Sequence, residues 1–178
     1  MSTLEYPTFT IEGHYRDVLR APGGAPIWDR GWNKNAINVS CRQLIASFMK
    51  GAPAAFGIDG LLVGAGAEAW DLSAPPQPTP TSALADPHPW KIPAQALTFD
   101  FLDGSTVVTT PTNRLQIFAQ LGPRTPDWPD PNHTTSSLRE FALVGVLNGV
   151  QVLINYVTHP VITKDPASTL ERTIWLVF

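Results

Sequence analysis

Residues 138–157 read LREFALVGVLNGVQVLINYV, two apolar runs that meet at Asn148-Gly149. Asn-Gly accepts positive φ at both central positions of a two-residue type I′ turn, whose twist matches that of paired strands. The flanking Leu, Val, Phe and Ile favour strands, so the stretch predicts a β-hairpin whose turn sets its register. One acid, Glu140, lies inside the apolar run next to Arg139. A hairpin with so little chemistry serves as core, and function falls to the surfaces it supports.

Candidate strands lie on both sides of it. QALTFDFLD (95–103) alternates Leu97, Phe99 and Phe101 with Thr98 and Asp100, and an LDGS turn leads to STVVTT (105–110). RLQIFAQL (114–121) places Leu115, Ile117 and Ala119 on one face. Past the hairpin, THPVITKDPAST reads as a loop containing Lys164. LERTIWLVF follows as a strand with Leu170, Ile174, Leu176 and Phe178 on one face, interrupted by Arg172.

Upstream, VSCRQLIASFMKG sets Val39, Leu44, Ile45, Phe48 and Met49 at helical spacing. Asn38 or Ser40 can cap its start and Gly51 its end, which predicts one helix over 39–50. Residues 7–20 predict a short strand and then a loop, APGGAP (21–26) a turn, and IWDRGWNKNAIN a connection into the helix. FGIDGLLVGAGAEAW (56–70) opens as a short strand and runs into Gly64 and Gly66.

From Leu72 to Pro93 the chain changes character, with seven prolines, among them Pro75, Pro76, Pro78 and Pro80. Proline cannot donate to a sheet ladder, so the segment predicts an extended, polyproline-like arm or long loop. GPRTPDWPDPNHTTSS (122–137) is a second proline-rich loop. The 18 prolines in 178 residues are about double the usual ~5 %.

Charged residues make up only 15 % of the chain, against roughly a quarter in an average protein, which suggests neutral or covered surface. A net charge of −3 without a basic patch argues against nucleic-acid binding. Cys41, the only cysteine, allows no intrachain disulfide and suits folding in a reducing cytoplasm. No apolar run approaches the ~20 residues of a membrane span, and MSTLEYPTF does not read as a signal peptide.

Catalytic and ligand motifs are weak. Gly64-Ala65-Gly66 follows a strand like a dinucleotide loop, but Ala69 stands where a third glycine belongs and no long helix follows. Asp127, Asp130 and His133 recur at three-residue intervals and suit either a metal or solvated turns. Glu140 reads as a general acid or as half of an ion pair with Arg139 or Arg172. Trp70, Trp90 and Trp128, in or beside the proline-rich segments, can stack on sugar rings, anchor a partner, or pin loops to their own core. No catalytic constellation is evident, so the expectation is a protein that is not an enzyme and needs no cofactor or metal.

GWNKNAINVSCRQLIASFMKG, GIDGLLVGAGAEAWD, SLREFALVG and VLINYVTHPVITKDPASTLERTIWLVF, in that order, resemble the layout of small structural proteins of tailed-bacteriophage virions. The matching residues are Gly64 and Gly66, Leu138-Arg139-Glu140-Phe141, and Lys164 ahead of Leu170–Phe178, together covering about half the chain. The resemblance implies a tail, neck, collar or baseplate adaptor in the virion, folded in the host cytoplasm. Its partners would be other virion proteins and further copies of itself. With no repetitive shaft or receptor-binding tip, the chain fits an adaptor, collar or decoration role. Capsid decoration and a carbohydrate-binding module are the alternatives.

The sequence therefore predicts one domain over residues 1–178, mainly β. It is expected as an antiparallel β-sandwich with one short helix and the proline-rich arm or loop at 72–93. Arg139, Glu140, Asn148, Gly149 and Lys164 are expected to be structural. Trp70, Pro75, Pro76, Pro78, Pro80, Trp90 and Trp128 are expected to meet partners.

Overall fold

In a computed structural model, which describes residues 10–178, Asn148 and Gly149 have φ of 54° and 78° and Leu147 pairs directly with Val150. These are the features of a two-residue type I′ turn. The elements run β1 (Glu12–Arg20), β2 (Pro26–Ile37), α1 (Val39–Lys50), β3 (Ala55–Gly64), β4 (Trp90–Pro93) and β5 (Thr98–Asp103). They continue with β6 (Thr106–Val108), β7 (Arg114–Leu121), β8 (Ser137–Leu147), β9 (Val150–Leu153), β10 (Asn155–Thr163) and β11 (Thr169–Val177). The helix has the expected ends: Asn38 Oδ1 accepts from Ser40 N at 3.1 Å, and Gly51 closes it at φ 73°.

All eleven strands join one antiparallel sheet in the order β4-β3-β8-β10-β2-β1-β11-β7-β5-β6, with β9 beside β8. The protein is thus mainly β with one α-helix among the described residues. The expected division into two sheets is replaced by continuous pairing, because β2 and β10 meet through Asn155–Ile37 and Tyr156–Ala36. That joint is narrow, and the sheet bends there. Tyr15 on β1 and Phe141 on β8 stand three strands apart, roughly 14 Å in a flat sheet. Their ring centroids are 5.2 Å apart, edge to face. Bending of the sheet thus brings these two rings together, while the outer strands β4 and β6 stay unpaired with one another. Both edges are short, and β4 ends on Pro93, which blunts them against further pairing.

Three expectations change. Part of the strand expected over residues 7–20 lies outside the described residues, and the rest extends to Arg20 as β1. IWDRGWNKNAIN forms most of β2, whose many polar residues hid a strand held by pairing with β1. The loop expected from Thr158 is strand up to Thr163. Between Thr158 and Ile162 the register with β8 shifts, and Pro160 sits within that irregularity, where no ladder N–H is needed.

At the centre, Arg172 and Asp17 are fully buried and paired, Nε to Oδ1 at 2.7 Å and Nη2 to Oδ2 at 2.8 Å. The Arg172 guanidinium lies over the Phe141 ring at 3.7 Å. His159 donates from Nδ1 to the Pro160 carbonyl and accepts at Nε2 from Arg172, at 2.9 and 3.2 Å, which suits a neutral ring. Burial, and then the Arg172 charge, push the His159 pKa down to about 3. Burial would raise the Asp17 carboxyl, but Arg172 outweighs it and the net shift is downward.

A histidine that stays neutral when folded but charges near pH ~6.5 when unfolded makes the unfolded state bind more protons. Stability then falls as pH drops from about 6.5 toward the folded value, by at most ~1.4 kcal/mol per pH unit. Urea titrations between pH 6.5 and 4 should show this slope, and His159→Gln should flatten it. An equal slope in the variant would assign the acid sensitivity to other groups.

Candidate functional site

Glu140 on β8 is fully buried, and its carboxylate finds every partner inside the protein. Oε2 accepts from Tyr156 Oη at 2.5 Å and from Ala85 N at 2.9 Å, and Oε1 from Asp86 N at 2.7 Å. The expected ion pair with Arg139 or Arg172 does not form. Successive strand residues point to opposite faces, so Arg139 turns away from Glu140. It forks onto Asp71 at 2.7 and 2.6 Å and donates to Ala65 O at 2.9 Å. Arg172 is taken by Asp17. Burial, then the bond to Glu140, raise the Tyr156 phenol, which stays a donor.

Asp86 continues the network. Its Oδ2 accepts from Ala65 N at 2.8 Å and faces His133 Nε2 at 3.1 Å, while Oδ1 accepts from His88 N at 2.8 Å. On the other side of the ring, His133 Nδ1 lies 2.8 Å from Asp130 Oδ1, and Trp128 stacks on the imidazole at 3.8 Å. One chain of polar contacts thus clamps residues 85–88 and 128–133 onto β3 and β8. The Gly64-Ala65-Gly66 turn belongs to this clamp. A Cβ on Gly64 would stand 2.7 Å from Glu140 Oε1, and one on Gly66, at φ 60°, 2.6 Å from the Trp70 ring. Its Ala65 amide is spent on Asp86 and is not free for an anion.

The residues expected to meet partners divide. Trp128 is buried against His133, and Trp70 is half-buried over Gly66, so both pin loops. The 72–89 segment lies on its own body. Pro76 O accepts from Thr158 Oγ1 at 2.8 Å, Pro80 O from Val39 N at 2.9 Å, and Ser82 O from Asn38 Nδ2 at 3.1 Å. Pro75 and Pro78 are half-buried, and Pro76 and Pro80 keep exposed rings. The end of the expected arm is not extended coil: residues 90–93 form β4, where Trp90 stays 41 % exposed. None of the hydrogen bonds or ion pairs of Asp130 and His133 includes Asp127. Lys164 is buried and donates to Gly122 O at 2.7 Å.

Two of the concavities in the surface bear on function. A trough of about 320 Å³ runs between α1, β3 and the ends of β5, β7 and β11, walled by Leu44, Ile45, Phe48, Ile58, Phe99 and Phe178. Cys41 lies at its base, buried, with its thiol pushed up to about 11 by that burial. The helix signals this site. Five apolar residues share its predicted face, but only Cys41 and Leu44 are buried in α1, and Phe48 and Met49 are 47 % and 86 % exposed. The second concavity, of about 220 Å³, lies between the 122–128 loop and the turn after β10.

Comparison of the chain with protein-family models, curated proteins and solved structures finds no match.

Glu140→Gln puts an amide N–H₂ where three donors converge, and one buried donor loses its acceptor. The variant should lose ~1–3 kcal/mol of stability, with faster hydrogen exchange at the Ala85 and Asp86 amides. Unchanged protection of those two amides would show that Glu140 does not hold the loop.

Proposed function

We propose that the protein is a structural assembly subunit, of the virion class that its motifs resemble, and that it joins a second copy of itself through the apolar trough. The observation that carries this reading is the trough's composition and relief. Its lining contains no charged side chain, and Phe48, Phe99 and Phe178 stand 40–47 % exposed along it. Met49 and Phe56, from the same helix and from β3, protrude further, at 86 % and 59 %. A two-fold interface needs one surface that is complementary to itself, and a recess rimmed by exposed Phe48, Phe99 and Phe178 supplies both relief and apolar side chains. Aromatic and Met side chains with few charges also match the core of a protein–protein interface. Burying each such side chain is worth roughly 1.5–3 kcal/mol.

This reading moves the contact surface away from the proline-rich loops, whose carbonyls are engaged on the protein's own helix and β10. The blunted edges of the sheet favour side-chain docking over strand addition.

Sedimentation equilibrium should find a self-associated species, and Phe48→Glu with Met49→Glu should convert it to a monomer that still unfolds cooperatively, with a Tm that no longer depends on concentration. A wild type that is monomeric at its highest soluble concentration would overturn the trough interface. Absence of the protein from purified particles of its source would overturn the virion assignment.

A further inference from the structure

The smaller concavity contains a buried cation that has no ion-pair partner among the described residues. Lys164 is 4 % exposed and lines this pocket, and its ammonium makes one hydrogen bond, to Gly122 O at 2.7 Å. An ammonium carries three protons, so two are left for a partner. None of the ion pairs among the described residues involves Lys164, Arg124 or Asp127. Burial lowers the Lys164 pKa, and the nearby charge of Asp165 offsets this only in part. A buried charge that is only partly compensated is costly, and an anion beside it would reduce that cost.

The rest of the wall narrows the ligand. Arg124 adopts φ 54°, a conformation side chains rarely take, with its N–H held by Pro166 O at 2.8 Å. This strained residue lines the pocket together with Lys164. Strain of this kind recurs where a side chain is being positioned. Two cations and the Asp127 carboxylate leave the wall with one net positive charge. Ser136 Oγ donates to Trp128 O at 2.7 Å and keeps its lone pairs, so Ser136 and Asp127 both accept from hydroxyls. Trp128, Pro126 and Pro166 offer apolar flanks. The volume, about 220 Å³, is below the ~300–1,000 Å³ of drug-sized sites, which limits the ligand to one small unit.

We propose that this pocket binds a single small carboxylate carried on a hydroxylated ring, a sugar acid. The carboxylate meets Lys164 and Arg124, the hydroxyls meet Asp127 and Ser136, and the C–H face packs on the prolines and Trp128. The site lies outside the trough and is independent of the assembly reading.

Calorimetric titration of the full chain with glucuronate, glucose, acetate and inorganic phosphate tests this. Glucuronate should bind saturably and most tightly, and glucose should not bind. Lys164→Met should abolish glucuronate binding. Arg124→Glu, an exposed change that leaves the buried lysine in place, should weaken it about tenfold or more. The proposal is overturned if glucuronate does not bind or if Arg124→Glu leaves its affinity unchanged. It also fails if phosphate or acetate binds as tightly, since the pocket would then be a generic anion site. Thermal unfolding of Lys164→Met separates a folded variant from a collapsed one, and the Arg124→Glu result stands in either case.

Discussion

A carboxylate sealed from water must find its donors within the protein, and Glu140 does so with a phenol and two backbone amides. That requirement organises the irregular half of the chain. The amides belong to Ala85 and Asp86, so the segment after β3 must return across β8 before it can pair again as β4. Asp86, placed by that bond, then receives Ala65 N and faces His133. The second proline-rich loop is thereby docked too, with Trp128 stacked behind the imidazole. Segments that cannot bond to a sheet ladder are instead held by side-chain acceptors at a few points.

A buried ion pair acts elsewhere in the sheet. Arg172 and Asp17 sit on neighbouring strands, and the guanidinium reaches Phe141 in the opposite half. Burying an ion pair seldom adds net stability over apolar packing, but losing one partner of it is costly. The pair thus holds the guanidinium where it packs on the Phe141 ring. Arg172 Nη1 and Asn155 Nδ2 are left without partners there. The burial also explains why His159, against Arg172, is held neutral.

Some of this was legible in the residues. The type I′ turn needs only the local tolerance of Asn148 and Gly149 for positive φ, and the helix ends need only Asn38 and Gly51. β7 coincides with its expected span because Ile117 and Ala119 face the core at period two. β2 was not legible. Asp29, Arg30, Asn33 and Lys34 resemble a loop, and they become strand only because β1 offers a partner. The pairing of Glu140 was misread for a related reason. Arg139 is its neighbour in sequence, but alternation along a strand places adjacent side chains on opposite faces.

What the sequence alone determined was local: the hairpin turn, the helix with both caps, the strand periods and the proline-rich segments. Each of these depends on conformational preference within a few residues. Tertiary structure decided the rest. It joined the strands into one bent sheet, laid the proline segments on their own body, buried Trp128, left Phe48 and Met49 in the open, and put Lys164 beside Arg124. These outcomes depend on which distant groups share a limited interior, and a buried polar group is tolerated only where its partners converge.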